Sequence, residues 1–295
     1  MNTIIGELGN SQKFVTLVNQ IKKENGPIAI SGLTDVGKTQ ILSGINKFAE
    51  MPICLITYNE IQAKKIYDDL KYFIDNVEFF PKKDIVTYDY IAESKELPYQ
   101  RIETLNKLYQ NKNIILVTTI EAVMQKLPAK EVLYKNVLNF KVGNTYDLEE
   151  LKQQLINMGY ARYDLIEGKG QFSIRGGIVD ISTDENSGIR IEFWGDEVDS
   201  IRNFNISSQR STSTLQKAII YPAHEYVLED TIDEVCKKIE EKIYNEKQQD
   251  ILENDIEVIK NGDYISKIDK YFDDFYNDKT NILGYLDNDC LICID

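Results

Sequence analysis

The chain has 295 residues, 42% of them hydrophobic, and a formal net charge of −14. That length gives room for two domains with separate cores, and no apolar run approaches the ~20 residues that span a bilayer. The acidic balance, without a dense Lys/Arg stripe, argues against tight binding to nucleic-acid phosphates by this chain alone. No cationic, apolar leader opens it, so a cytoplasmic protein is expected.

Pro27-Ile28-Ala29-Ile30 reads as a short buried strand. Gly32-Leu33-Thr34-Asp35-Val36-Gly37-Lys38-Thr39 follows it and fits the phosphate-cradling pattern G-x-x-x-x-G-K-[ST]. A helix is expected to start at Gln40. In such a loop the backbone N–H groups and the helix N-terminus hold phosphate oxygens. The expected nucleotide site therefore comprises Gly32, Thr34 and Gly37, Lys38 on the β/γ-phosphates, and Thr39 as the Mg²⁺ ligand. Asp35 and Val36 stand where many such loops carry Gly or Ser, and a carboxylate beside phosphates weakens binding. ATP and Mg²⁺ are accordingly expected at low occupancy.

Residues 52–58 form a near-continuous apolar run, as a buried parallel strand does. Asn59 can cap the next helix, whose apolar positions Ala63, Ile66, Tyr67, Leu70, Phe73 and Ile74 keep helical spacing. A short strand at 77–80 ends at Pro81, a helix covers 98–108, and a buried strand covers 113–118, with Thr119 capping 120–125. Alternation of this kind predicts an α/β domain with a parallel sheet.

After about residue 128 the pattern changes. A helix over 148–158 ends at Gly159, a C′ glycine. Short strands are expected at 163–167, 171–175, 177–182, 189–194 and 197–204, separated by Gly- and Asn-containing turns, as in a small α+β domain with an antiparallel sheet. Residues 228–260 read as helical, and 290–294 as a last buried strand. Asp295 follows that strand as a Walker-B aspartate follows its own, which makes it a candidate for the Mg²⁺ shell. An end at this point reads as a cut fragment. Cys290 and Cys293 form a lone C-x-x-C inside the apolar run, with no second pair and no nearby His; buried small apolar residues are the expectation, against a metal or redox role. Arg162 and Arg175 either face an acidic partner surface or pair with Asp164, Asp180 or Glu192 across the sheet.

Gly159-Tyr160-Ala161-Arg162, the run 170–181 (GQFSIRGGIVDI), the run 190–202 (RIEFWGDEVDSIR) and Ser208-Gln209-Arg210-Ser211 resemble the UvrB-homology module shared by the excision-repair protein UvrB and the transcription-repair coupling factor Mfd. The resemblance covers essentially the whole chain. Thr87-Tyr88-Asp89-Tyr90 leads quickly to Leu97-Pro98-Tyr99-Gln100-Arg101, leaving no room for UvrB's long aromatic DNA-clamping hairpin, which favours the coupling-factor branch. The segment 281–286 is similar to both branches.

The resemblance implies an α/β fold: a RecA-like P-loop parallel-sheet domain with an inserted small α+β domain, in the 1a-2-1b arrangement. The implied boundaries are 1–128 for domain 1a, 129–215 for domain 2 and 216–295 for domain 1b packing back on 1a. It implies that domain 2 binds UvrA, with Arg162, Arg175, Ile181 and Phe193 as the candidate surface. Ser173 stands where UvrB has another Arg, and Ser182 where the family has Phe in D-I-F-P, so an altered footprint is expected. RNA polymerase and DNA would be partners only through regions absent from this chain, and no membrane partner is implied. The full-length family is an ATP-dependent DNA translocase; this chain, without the second RecA-like lobe, is expected to have no turnover. The alternative is a truncated UvrB-like helicase/ATPase half. A stand-alone P-loop kinase is disfavoured by the run 170–181.

Overall fold

The computed structural model describes residues 3–23, 26–83, 96–242, 246–260 and 267–295. Segment 87–90, used above to separate the two branches, lies outside the described residues. The chain divides into two compact units: residues up to Lys126 together with Asn281–Asp295, and Leu127–Thr280.

The first unit is built on a four-stranded parallel sheet in the order Leu291–Ile294, Ile53–Thr57, Ile115–Thr119, Val77–Phe80. Its two central strands are buried along their whole length, which is why their sequences are continuously apolar rather than alternating. Helices Gln12–Lys22, Asp35–Ala49 and Glu60–Lys71 supply Phe14, Val18, Leu42, Ile45, Ile66 and Leu70 to the core, against Ile53, Leu55, Val77, Phe79, Ile115 and Val117. The helix starts follow local chemistry: Asn59 Oδ1 accepts the Gln62 N–H at 2.8 Å and Thr119 Oγ1 the Ala122 N–H at 3.2 Å. Buried Arg101, on the helix Glu96–Gln110, stacks over Phe80 at 4.2 Å and donates to the Pro81 carbonyl at 2.6 Å and to Gln125 Oε1 at 3.0 Å.

Two expectations for this unit fail. Pro27–Ile30 forms no strand, and Ile28 and Ile30 are exposed. The last strand is not buried: it sits at the sheet edge with one neighbour, so Leu291 and Cys293 pack on the core while Ile292 and Ile294 face outward, Ile294 at 85% exposure.

The second unit carries a six-stranded sheet ordered Ser211–Leu215, Glu197–Asn205, Ser187–Trp194, Ile178–Ser182, Gln171–Arg175, Ala161–Arg162. All neighbours are antiparallel except the short edge strand Ala161–Arg162, which runs parallel to Gln171–Arg175. Residues 163–167, expected as a strand, are irregular. One sheet face packs under the helix Leu148–Asn157 through Leu151, Leu155, Phe172, Val179, Ile181, Ile191 and Phe193. Gly159 closes that helix at φ 86°, where a Cβ would lie 2.6 Å from His224 Cβ.

The expected boundary at 215/216 also shifts. Lys217–Ile220 pairs antiparallel with Leu138–Lys141, and Lys279–Thr280 with Leu127–Pro128. Helices Ile232–Glu240 and Glu246–Lys260 form a core with Tyr226, Tyr271, Phe272 and Tyr276 inside the same unit. Only Asn281–Asp295 returns to the first unit.

Candidate functional site

The phosphate-loop sequence folds differently from its motif. The helix begins at Asp35, two residues before Gly37, with Thr34 as N-cap. Thr34 then absorbs the donors a phosphate would need: the Gly37 N–H donates to its Oγ1 at 3.2 Å and the Lys38 N–H to its carbonyl at 2.9 Å. The Thr39 hydroxyl is fully buried and donates to the Val36 carbonyl at 2.9 Å. Gly32 keeps the positive φ, 78°, that the loop requires. Lys38 and Asp295 are brought together, as the Walker-type reading expects, but they bond to each other: Nζ lies 2.5 Å from Oδ1. The hydrogen bond to Asp295 holds the Lys38 ammonium above its ordinary pKa. Asp35 stands 3.8 Å from the same Nζ and 2.6 Å from Lys65 Nζ, whose hydrogen bond lowers the Asp35 carboxyl.

Measured against a Mg²⁺–nucleotide, these residues do not fit. The Gly37 and Lys38 N–H groups, the Thr39 hydroxyl and the Lys38 ammonium are each bonded within the protein, and two carboxylates, Asp35 and Asp295, lie 3.8 and 2.5 Å from the Lys38 Nζ. The neighbouring cleft, about 800 Å³, is lined largely by apolar side chains such as Ile28, Ile30, Leu33 and Ile294.

Cys290 and Cys293, expected to be buried, are only half-buried, because the strand Leu291–Ile294 lies at the sheet edge. Cys54, Cys290 and Cys293 are free thiols. Burial pushes the Cys293 thiol up to about 11 and the Cys290 thiol up to about 12. Among the described residues no group of three or more His, Cys, Asp or Glu could hold a metal ion. Among them, too, no helix is long and apolar enough to cross a membrane.

The second unit presents a different surface. Five of the six arginines of the chain fall between Arg162 and Arg210. Cross-strand register sets two rows on the sheet face opposite the core: Ser173, Asp180, Arg190 and Arg202, and beside them Arg175, Ile178, Glu192 and Ser200. Asp180, 1% exposed, receives Arg190 through two bonds, Nε to Oδ1 at 2.7 Å and Nη2 to Oδ2 at 2.9 Å, and Arg175 Nη2 at 2.9 Å. Arg175 is thus both paired and presented, its side chain still 46% exposed. Arg202 approaches Glu192 at 3.3 Å, and the Ser200 hydroxyl donates to the same carboxylate.

Arg162 is exposed on the edge strand but registers beside Phe172, not beside Arg175. Ile181 and Phe193 leave the candidate surface: they are 0% and 9% exposed and point into the core, since the two-residue strand period puts them opposite the arginines. Ser173 is buried, its hydroxyl donating to the Asp164 carbonyl at 2.9 Å; Ser182 is buried likewise, on Asp184 O at 3.0 Å. Trp194 and Arg202 belong to the exposed face but are not among the residues expected there from sequence; Glu192, named as a possible partner of the arginines, lies on it too. The alternation Ile189-Arg190-Ile191-Glu192-Phe193 is the sequence signal that, by parity, puts Trp194 on the face of Arg190 and Glu192.

Sheet and sequence together define a UvrB-homology module: residues 138–226 match the family model described as the UvrB interaction domain. The whole chain is similar to transcription-repair-coupling factors. That of Bacillus subtilis (strain 168) is 30% identical over 311 residues, covering 100% of this chain and 26% of the relative. That of Staphylococcus haemolyticus (strain JCSC1435) is 32% identical over 235 residues, covering 79% and 20%. That of Staphylococcus aureus (strain USA300) is 28% identical over 307 residues, covering 99% and 26%. The chain belongs to the N-terminal UvrB-homology module of the transcription-repair-coupling factor family, and spans about a quarter of the length of these relatives.

Proposed function

We propose that this chain is a recruitment module that binds the excision-repair protein UvrA through the arginine-bearing face of its six-stranded sheet. The observation that carries the reading is the coincidence of the UvrB-interaction match with a face where buried Asp180 holds Arg175 and Arg190 in place. A guanidinium fixed by a carboxylate from below loses little rotamer entropy on binding and still offers donors to an acidic partner. The role in coupling repair to transcription, stated in the relatives' name, extends to this chain as part of the same proposal. The reading requires no nucleotide, in keeping with a loop whose Gly37 and Lys38 N–H groups bond to Thr34 and whose Lys38 pairs with Asp295.

Calorimetric titration of the chain with purified UvrA tests the reading. Saturable binding is expected, and Arg175→Ala should weaken it by about tenfold, the loss of one charge-assisted contact. Affinity unchanged by Arg175→Ala removes that residue from the interface, and absence of binding by the wild-type chain sinks the reading.

A further inference from the structure

We propose that Trp194 is the apolar anchor of this surface, seated in a pocket on the partner while Arg175 and Arg202 meet acidic groups around it. The inference rests on the UvrA-binding reading above and identifies where its affinity resides.

Trp194 closes the strand Ser187–Trp194 ahead of the turn at Gly195, whose φ is 62°. Alternation along this strand puts Arg190, Glu192 and Trp194 on one face, with Ile191 and Phe193 in the core. The indole is therefore on the arginine face, two residues beyond Glu192, which registers with Ile178, itself opposite Arg175. Trp194 is 86% exposed and Ile178 36%.

An indole left in water at the tip of a rigid hairpin gains nothing for the fold, because burial is what makes a large aromatic stabilising. Tryptophan and arginine are the residues that dominate interface energetics, and they do so together: a desolvated aromatic at the centre, charged groups around it. Here an exposed Trp and Ile share a sheet face with Arg175 and Arg202, each guanidinium tied to a carboxylate of its own sheet, while Trp194 itself registers opposite Glu197. The complementary surface is an apolar pocket whose rim offers carboxylates to Arg175 and Arg202 and donors to Glu192 and Glu197, and the face lies within the matched interaction domain, residues 138–226.

Trp194 is the one tryptophan of the chain, so it reports on itself. The chain labelled with 5-fluorotryptophan gives a single ¹⁹F resonance. Addition of UvrA is expected to shift that resonance and to protect it from a soluble paramagnetic quencher. Trp194→Ala should weaken UvrA binding by about thirtyfold, in the hot-spot range, and Trp194→Phe should restore most of it. Both variants should melt with the wild type, since the side chain touches little of the fold. A resonance that stays quencher-accessible at saturation, or Trp194→Ala affinity equal to wild type, overturns the anchor. If Arg175→Ala still weakens binding in that case, the UvrA reading stands without it. No binding by the wild-type chain ends both.

Discussion

At the scale of single residues, the phosphate loop shows how a motif can survive in sequence while its geometry does not. Gly32, Gly37, Lys38 and Thr39 are all present, yet Thr34 caps a helix that begins too early, and Lys38 is paired with Asp295. A nucleotide would have to break an ion pair, reopen the first helical turn and accept Asp35 at close range. Calorimetry with ATP–Mg²⁺ should therefore give a Kd no tighter than about 1 mM, and Lys38→Ala should leave it unchanged. A micromolar affinity abolished by Lys38→Ala would show that the loop opens. The sequence contains every group named here, but the phosphate-loop motif and a threonine N-cap share the same residues, and the motif alone does not say which is formed. Pro27–Ile30 has the composition of a strand without pairing as one. Strand pairing is a non-local property, which a four-residue apolar run cannot encode.

Among elements, the parallel strands were legible because burial on both faces forces an unbroken apolar run, and the capped helix starts at Asn59 and Thr119 because a cap is local chemistry. The strand Ser211–Leu215 was missed: its first four residues are exposed and its sequence is polar, so only its pairing with Glu197–Asn205 reveals it. Ile181 and Phe193 were misassigned for a related reason. Alternation shows that a strand has two faces, but only the packing of the helix Leu148–Asn157 shows which face is the core.

The helical part of the second unit carries its own electrostatic signature. Asp255 is buried, and burial alone would raise its carboxyl; bonds from Lys270 at 2.5 Å, Lys267 at 3.0 Å and Tyr271 at 2.9 Å outweigh that and lower it. A carboxyl depressed in the folded state stabilises the fold above its unfolded pKa of about 4 and loses that contribution as pH falls through the folded value. Urea midpoints should thus decline below about pH 4 in the wild type, and less steeply in Asp255→Asn once its own lower starting stability is subtracted. Equal slopes for the two proteins would remove Asp255 from the acid response.

For the whole molecule, arginine is unevenly distributed although net charge is not. The net charge is −14, while five of six arginines fall within one stretch of 49 residues or fewer than a fifth of the chain, Arg162 to Arg210. That stretch also holds nine Asp and Glu and stays net negative, so a polyanion would meet repulsion there as well, whereas single guanidiniums held by carboxylates suit a protein partner with local acidic groups. Fluorescence anisotropy with a labelled duplex should show binding no tighter than about 100 µM at physiological salt. Tight, salt-sensitive association would point instead to the helicase-like alternative.

The short pair Leu127–Pro128 and Lys279–Thr280 has a consequence of its own. The Ala129 N–H donates to the Asp278 carbonyl at 3.1 Å, so the second unit leaves and re-enters the chain through a closed neck. Its ends are one strand spacing apart, about 4.8 Å. To the first unit, everything between Lys126 and Asn281 is equivalent to a tight hairpin turn, and the chain-closure entropy is met within the inserted unit itself. A recognition element delivered in this form is a cassette: it can be lengthened, exchanged or lost over evolutionary time while the sheet that carries it keeps its register.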